Sequence, residues 1–340
     1  MITKINDLNL RPFNTMGVDA VCDEWIEFTE AADIPEVVRL CAGRKHKCIG
    51  SGSNMLFTGD YHGVLLHPAI LDVTSRPADE RDFVIVRAGA GVEMDSLIES
   101  CAKAGLWGLE NLSGIPGLVG SSAIQNVGAY GVEAGDIISS VECYDTEQNR
   151  FVTLGKDDLG FGYRHSMFKE KAHAGRYIVS YVEYRLSRNP MPKLGYGGLH
   201  SLLDGSSAPT PVEVRNAVIA VREQKLPPVD KAGSAGSFFK NPVVEKTLFE
   251  KISAMDGIGE VPHYEVEGGI KIPAAWLIDR CGLKGCVEGG AAVWQKQPLV
   301  IVNSTGHATA DDILRLEALI TETVKKRFGI ELFPEVEHIN

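Results

Sequence analysis

Short strand-like and helix-like segments alternate along the 340 residues in no fixed order and with no obvious internal repeat. That irregularity points to an α+β protein and gives no reason to expect a regular βαβ parallel sheet. A chain of this length can bury more than one core, so two or three lobes are expected. Trp25 to Thr29 reads as a strand, with Trp25, Glu27 and Thr29 alternating against Ile26 and Phe28. A short helix follows, with Asp33 as N-cap, Pro35 in the first turn, and Val37, Val38 and Cys41 on one face.

Cys48-Ile49 is a strand that breaks into glycine, and Phe83 to Arg87 is another strand. Ser96 to Lys103 is a helix closed by Gly105 at C′. Leu112 to Gly135 is glycine-rich and lacks a regular pattern, yet its apolar residues make it an ordered loop rather than a linker. Strands resume at Val141 to Tyr144 and at Tyr177 to Leu186, and near Asn189-Pro190-Met191-Pro192 the chain is expected to leave one lobe for the next. Thr210-Pro211-Val212-Glu213 has the cap, N1 proline and N3 glutamate of a helix start, and Leu226-Pro227-Pro228 ends that helix. Pro273 opens a short helix through Asp279 closed by Gly282, and Leu299 to Val302 is a buried strand. Thr309 caps a last helix whose Ile313, Leu316, Ile320 and Val324 share a face, with Gly329 as its stop.

A formal charge of -11 argues against nucleic acid as a partner, although a pocket in an acidic protein can still be locally basic. None of the seven cysteines forms a C-x-x-C pair, so neither a zinc knuckle nor a disulfide framework is indicated, and a reducing cytoplasm is expected. No metal site is expected. The N-terminal residues lack the apolar stretch of a signal peptide, and no apolar run nears the ~20 residues that span a bilayer, so no membrane role is expected.

Five constellations can carry chemistry. Gly50-Ser51-Gly52-Ser53-Asn54 follows a strand; its glycines let the backbone approach a ligand, and successive N–H groups make a concavity suited to diphosphate oxygens. Met55 stands where G-x-G-x-x-G has its last glycine and no Walker lysine follows, so taken alone the segment is better read as a tight turn after a strand. Ser113 to Ser122, with Gly114, Gly117 and Gly120 at intervals of three, continues into Gln125-Asn126-Val127-Gly128-Ala129-Tyr130-Gly131. Such a compact polar loop suits the lining of a dinucleotide site or a structural Ω-loop. Tyr163-Arg164-His165-Ser166-Met167-Phe168 sets an arginine between aromatics, which standing alone is better read as a stacked, salt-bridged structural residue, and His165 reads as a surface or hydrogen-bonded histidine. In Ala235-Gly236-Ser237-Phe238-Phe239-Lys240-Asn241-Pro242 small residues leave the Ser237 hydroxyl accessible. With no histidine base in view, that serine suits proton donation better than attack. In Phe333-Pro334-Glu335-Val336-Glu337 two acids two apart on a strand would share one face, as a solvated strand face also would.

Together and in this order, the blocks resemble the UDP-N-acetylenolpyruvoylglucosamine reductase family over roughly residues 14–339, joined by Ile-Pro-Ala-Ala-Trp-Leu-Ile-Asp at 272–279. The resemblance implies a two-lobed FAD-binding module of the vanillyl-alcohol-oxidase type, with lobes at 1–70 and 71–190. A C-terminal α+β substrate-binding domain would follow at 191–340, its residues 325–340 returning toward the active site. Gly50, Ser51, Gly52, Ser53 and Asn54 would cradle the FAD diphosphate, and Ser113, Gly117, Ser121 and Ser122 would line the rest of the cofactor. Gly128 and Tyr130 would lie near the flavin, which is not expected to be covalently attached. Tyr196 resembles a mobile tyrosine that closes over substrate in one subtype, and Lys225, Asn241 and Gln297 align with positions that contact the sugar nucleotide.

The implied reaction is NADPH-dependent reduction of UDP-N-acetylenolpyruvoylglucosamine to UDP-N-acetylmuramate for peptidoglycan synthesis. Hydride delivered to a vinyl carbon leaves negative charge on the adjacent carbon and its carboxylate. Arg164 and a protonated Glu335 are the candidates to stabilise that enolate, and Ser237 to protonate it. A cytoplasmic monomer is expected. Leu226-Pro227-Pro228-Val229 departs from the Leu-Pro-Asp-Pro familiar in the family, which bears on the loop near Lys225. Little sequence follows Glu335, so its neighbours are expected to hold it in place. Rival readings are another flavin oxidase or dehydrogenase of the same fold, and a non-catalytic nucleotide-sugar sensor.

Overall fold

The computed structural model describes residues 1–340 except 197, 204–207 and 229–230, so Gly197 and Val229 of the segments discussed above lie outside the described residues. The chain divides into two compact units. The first comprises Met1–Leu8, Cys22–Ser51 and His62–Arg222; the second comprises Asn9–Val21, Gly52–Tyr61 and Glu223–Asn340.

The first unit holds two sheets. A four-stranded sheet has the order Ile2–Asn9, Val21–Phe28, Tyr61–Pro68, His46–Cys48, the last pair parallel with Cys48 opposite Leu66. Against it the helix Ile34–Leu40 buries Ile34 and Val37 among Ile26, Phe28, Val64 and Leu66. Asp33 takes the N-cap position as expected, but its carboxylate accepts from the Glu30 N–H at 3.3 Å instead of capping that helix.

The second sheet, of five antiparallel strands, has the order Arg150–Gly155, Ile138–Asp145, Tyr177–Ser187, Phe83–Gly89, Val73–Pro77. Val84, Val86 and Ala88 pack with Leu97, Ile98 and Cys101 of the helix Met94–Lys103, while Arg87 pairs with Glu142 and Arg76 with Glu183. Gly105, at φ +73°, follows that helix as expected of its C′ glycine. The edge strand Arg150–Gly155 escaped the sequence reading because its six residues are exposed or only half-buried and show no clean alternation.

Leu112 to Gly135 is not the patternless loop expected. It contains the helix Val119–Gln125, a hairpin of Gly128–Ala129 with Val132–Glu133, and the turn of helix Ala134–Ile137. The first helix is rich in glycine and serine and has no apolar period to reveal it; it forms because Val119 and Ala123 join the core beneath Tyr184. Residues beyond Asn189-Pro190-Met191-Pro192 continue in the first unit, where Leu199, Val214 and Val218 pack on Trp107, and the chain passes to the second unit after Arg222. The helix Pro211–Lys225 starts with the expected capping box: Glu213 N donates to Thr210 Oγ1 at 3.3 Å, and Thr210 N to Glu213 Oε2 at 2.7 Å.

In the second unit an antiparallel sheet has the order Gly233–Ser237, Val300–Asn303, Ala291–Val293, Val287–Glu288. Helix Ala310–Phe328 buries Ile313, Leu316, Ile320 and Val324 as their spacing requires; Thr309 Oγ1 caps it by accepting from Asp312 N at 3.2 Å, and Gly329 ends it at φ +69°. A small sheet joins Val243–Val244, Gly269–Lys271 and Tyr264–Val266. Pro273 is the N-cap of Ala274–Arg280 rather than its first helical residue. The expectation that Glu335 and Glu337 share a strand face fails: the terminal strand is Glu337–Ile339, parallel to Met55–Phe57, and Glu335 lies in a bend before it. Among the described residues no helix is long and apolar enough to cross a membrane, and no group of His, Cys, Asp and Glu is arranged to hold a metal ion.

Candidate active site

Around Gly50 the backbone is close-packed in the first unit: a Cβ on that residue would overlap Ser121 Oγ. Next to it the Ser51 hydroxyl is buried with no hydrogen-bond partner among the described residues. A buried hydroxyl without a protein partner is rare, and here it sits in a glycine loop that follows a strand. A phosphate oxygen would satisfy it, so this residue fits an FAD diphosphate. In the second unit Gly52 has φ +64°, and a Cβ there would overlap the Phe13 carbonyl and lie 2.7 Å from Asn14 Cα. Ser53 is half-buried, and Asn54 is held by two bonds to the chain terminus: its Nδ2 donates to Glu335 O at 3.3 Å and its carbonyl accepts from Glu337 N at 3.0 Å.

The Ser113–Ser122 loop belongs to the first unit and is braced from below. Gly114 N donates to Asp95 Oδ1 at 2.6 Å, and Arg222 Nε donates to Gly114 O at 3.1 Å. Gly117 has φ +150°, and its carbonyl accepts from Met94 N at 3.0 Å. Two of the serines expected to line a cofactor turn their hydroxyls inward. Ser113 Oγ donates to Glu110 O at 2.7 Å, while Ser122 Oγ meets Val119 O and the Tyr184 hydroxyl, both at 2.7 Å. Their side chains are committed to the fold; Ser121, half-buried beside Gly50, is the one that shares space with the glycine loop.

Gly128, Tyr130 and Arg164 come together in the first unit. Arg164 Nη2 donates to Gly128 O at 2.9 Å, and the guanidinium carbon lies 5.4 Å from the centre of the Tyr163 ring. Arg164 has φ +53° and Tyr130 φ +49°, a left-handed conformation unusual for large side chains and one that marks functional sites. His165 closes the turn through paired backbone bonds with Gly162 and lies 3.5 Å from Glu170, the surface role expected of it. The Tyr196 ring meets the Tyr130 ring edge-on at 6.3 Å and is half exposed.

Sequence reasoning missed Arg222. Burial pulls its pKa below the ordinary arginine value, opposed by the charges of Tyr130 and Asp95. The signal was present: in the helix Pro211–Lys225 it follows buried Val214 and Val218 at intervals of four, a cation on an apolar stripe. Burial likewise raises the Tyr130 pKa, with the Arg222 charge opposing.

In the second unit the strand Gly233–Ser237 is bulged between Ser234 and Ser237, with Gly236 at φ +73°. A bulge of this kind re-aims the side chain beside it, and Ser237 is exposed. Immediately afterwards Phe238 and Phe239 are buried and anchor the segment. Phe238 O accepts from Glu335 N at 2.8 Å, and Lys240 N donates to Phe333 O at 2.9 Å, so the chain terminus is laced to the serine loop. Ser237 and Glu335, 98 residues apart in sequence, therefore lie on adjoining backbone segments. Asn241 Oδ1 accepts from Ala274 N at 2.9 Å and so starts the helix Ala274–Arg280. Lys225 is exposed and its carbonyl accepts from Trp294 Nε1 at 3.0 Å, while half-buried Gln297 turns the chain into the strand Val300–Asn303 through its carbonyl.

A glycine loop with an orphaned serine hydroxyl fits a diphosphate, and residues 24–155 match the family model described as an FAD binding domain, which makes the protein an FAD-binding flavoprotein. Residues 227–339 match that of the UDP-N-acetylenolpyruvoylglucosamine reductase C-terminal domain. The chain is 41% identical over 335 residues to a protein of that name from Chromobacterium violaceum, covering 97% of each, and 38% identical over 339 residues to one from Porphyromonas gingivalis, covering 98% of each. A crystal structure of the Thermus caldophilus reductase matches with a TM-score of 0.67 at 24% identity, covering 100% of this chain and 99% of that one, a likeness of fold. The chain belongs to the UDP-N-acetylenolpyruvoylglucosamine reductase family, which are FAD-dependent oxidoreductases.

Proposed function

We propose that this protein reduces UDP-N-acetylenolpyruvoylglucosamine to UDP-N-acetylmuramate for peptidoglycan precursor synthesis, as a cytoplasmic monomer that draws electrons from NADPH. Bound non-covalently, FAD would supply two-electron hydride chemistry between NADPH and the terminal carbon of the enolpyruvyl group. The Ser51 hydroxyl and the backbone of Gly50 to Asn54 hold the cofactor's diphosphate, and Gly117 and Ser121 line the cofactor further on. The two sheets of the first unit support assigning its two FAD-binding lobes to residues 1–70 and 71–190. Lys225, Asn241, Gln297 and Tyr196 contact the sugar nucleotide.

Hydride addition turns the vinyl CH₂ into CH₃ and leaves an electron pair on the adjacent carbon, delocalised into the carboxylate. Arg164, with its fixed planar fork, and the Glu335 carboxyl bind that carboxylate and lower the energy of the enolate. Ser237 Oγ–H donates its proton to the carbanionic carbon, and solvent restores the hydroxyl. An alcohol is a weak acid, so it yields a proton only after the strong base has formed. The observation that supports this reading most is the bulge at Gly236, which presents an exposed serine hydroxyl one residue from the carbonyl that holds Glu335.

The test separates the half-reactions. The purified protein should be yellow and should oxidise NADPH continuously only when the enolpyruvyl UDP-sugar is supplied. Ser237→Ala should leave flavin reduction by NADPH nearly intact and slow reoxidation by substrate by several orders of magnitude, beyond the ~10²–10⁴ typical of losing a general acid. Equal damage to both halves would refute proton donation by Ser237.

A further inference from the structure

We propose that Asn126 is the positioning residue that holds Arg164, acting through a closed ring of hydrogen bonds inside the first unit. This rests on the reading that Arg164 acts on the substrate. Asn126 is 1% exposed, and its carboxamide is engaged on both sides. Its Oδ1 accepts from Gly135 N at 2.8 Å, while its Nδ2 donates to Glu133 Oε2 and to Gly162 O, both at 2.8 Å. Gly162 begins the turn whose third residue is Arg164, and that turn is closed by Gly162 N to His165 O at 3.1 Å and His165 N to Gly162 O at 2.9 Å. Arg164 Nη2 then reaches Gly128 O at 2.9 Å, and Gly128 is paired with Glu133 across the short hairpin. Since Glu133 accepts from Asn126, the circuit returns to its start.

Three further features show that this ring is built to close tolerance. Asn126 itself has φ +43°, where asparagine is among the few side chains that sit comfortably. A Cβ on Gly135 would stand 2.9 Å from Asn126 Oδ1 and 2.7 Å from Phe161 Cγ. A Cβ on Gly128 would stand 3.0 Å from Arg164 Nη1, so the backbone there is fitted to the guanidinium.

The mechanism is steric and electrostatic. An arginine at φ +53° is held there only if its surroundings over-determine the turn. The Asn126 amide fixes the base of that turn through the Gly162 carbonyl, and through Glu133 it fixes the hairpin that presents the Gly128 carbonyl. Without the two Nδ2 bonds the turn is free to relax toward negative φ, which swings the guanidinium away from the position it takes here. A displacement of about 1 Å is enough to cost a reaction roughly 10²-fold.

Asn126→Asp keeps the shape and tolerates φ above zero, but it removes both donors and sets a carboxylate against Glu133. In the FAD-loaded protein this variant should keep its flavin absorption spectrum and its rate of reduction by NADPH, while reoxidation by the enolpyruvyl UDP-sugar slows about 10²-fold. Amide hydrogen exchange should rise at Gly135 and His165 and remain unchanged in the helix Met94–Lys103. The double variant with Arg164→Lys should be hardly slower than the worse of the two single variants, because both act through one guanidinium. Losses that multiply, or equal slowing of both half-reactions, would overturn the positioning role. Should Asn126→Asp fail to fold, Asn126→Gly, which removes the carboxamide but suits φ +43°, carries the same test; if neither binds FAD, the ring serves folding and the inference is wrong. A slow Arg164→Lys beside a normal Asn126→Asp refutes the ring alone. Near-normal reoxidation in Arg164→Lys refutes the role assigned to Arg164 itself.

Discussion

Gly52→Ala should separate two costs that glycine loops usually confound. The residue has φ +64°, so an L side chain there carries about 1–2 kcal/mol of backbone strain whatever the space around it. In addition, its Cβ would overlap the Phe13 carbonyl oxygen and stand 2.7 Å from Asn14 Cα, and both are backbone atoms that no rotamer change can move aside. The turn that must give way is itself tied down. Asn14 Nδ2 donates to Leu10 O at 2.7 Å and to Val18 O at 3.1 Å, Asn14 Oδ1 accepts from Val18 N at 3.2 Å, and Thr15 N donates to Gly52 O at 3.2 Å. Forcing a methyl into such packing adds about 1–3 kcal/mol, for a total of about 2–5 kcal/mol. Gly43→Ala is the control: its φ is +72° but nothing lies within 4 Å of its Cβ, so it should cost only the strain of about 1–2 kcal/mol. Urea unfolding of both variants, with FAD affinity followed by the recovery of free flavin fluorescence, reads the difference. Gly52→Ala should be the less stable and should release FAD more readily, whereas Gly43→Ala should hold it normally. Equal stabilities would show that the turn at Phe13–Asn14 yields easily, and the close-packing argument for the glycine loop would be lost.

Two further outcomes follow from the first unit. Ser122→Ala should destabilise the fold by about 1–2 kcal/mol, because the wholly buried Tyr184 hydroxyl loses its oxygen partner, and FAD affinity should fall no further than that instability explains; a large affinity loss at unchanged melting temperature would show that the hydroxyl reaches the cofactor after all. Burial alone would raise the Asp95 pKa, but the bidentate Arg215 guanidinium at 2.5 and 2.7 Å and the Gly114 N–H outweigh it, and the net shift is downward. A carboxylate depressed by folding contributes stability above its unfolded pKa of about 3.9 and loses it as pH falls toward its folded value. Acid titration of the wild type should therefore lose stability below about pH 4 more steeply than Asp95→Asn, which has already lost the ion pair; parallel curves would refute the contribution of that pair.

Where the chemistry was local, the amino-acid order alone was enough. The capping boxes at Thr210 and Thr309, the stop at Gly329 and the buried stripe of the last helix each need only residues three or four apart, so their physics is complete within a single turn. The Gly50–Asn54 and Ala235–Pro242 blocks were likewise visible as runs of consecutive residues whose small size and hydroxyls suit a ligand. What those runs face was not visible. Ser113, Ser121 and Ser122 look alike in sequence, yet two turn inward and one meets the glycine loop, because Tyr184, Glu110 and Gly50 are brought to them from elsewhere.

The tertiary structure alone decided the rest. It formed the helix Val119–Gln125 from residues with no apolar period, by giving Val119 and Ala123 a core to enter. It placed Glu335 in a bend and not on a strand, because the terminus is pinned by Phe238, Lys240 and Asn54 rather than by its own alternation. It also closed the Asn126 ring from Gly128, Glu133, Gly135 and Gly162, no one of which is informative by itself. Local sequence specifies torsion preferences and one-turn contacts, whereas the partner of a buried polar atom is whatever the folded core sets opposite it, and that is a property of distant residues acting together.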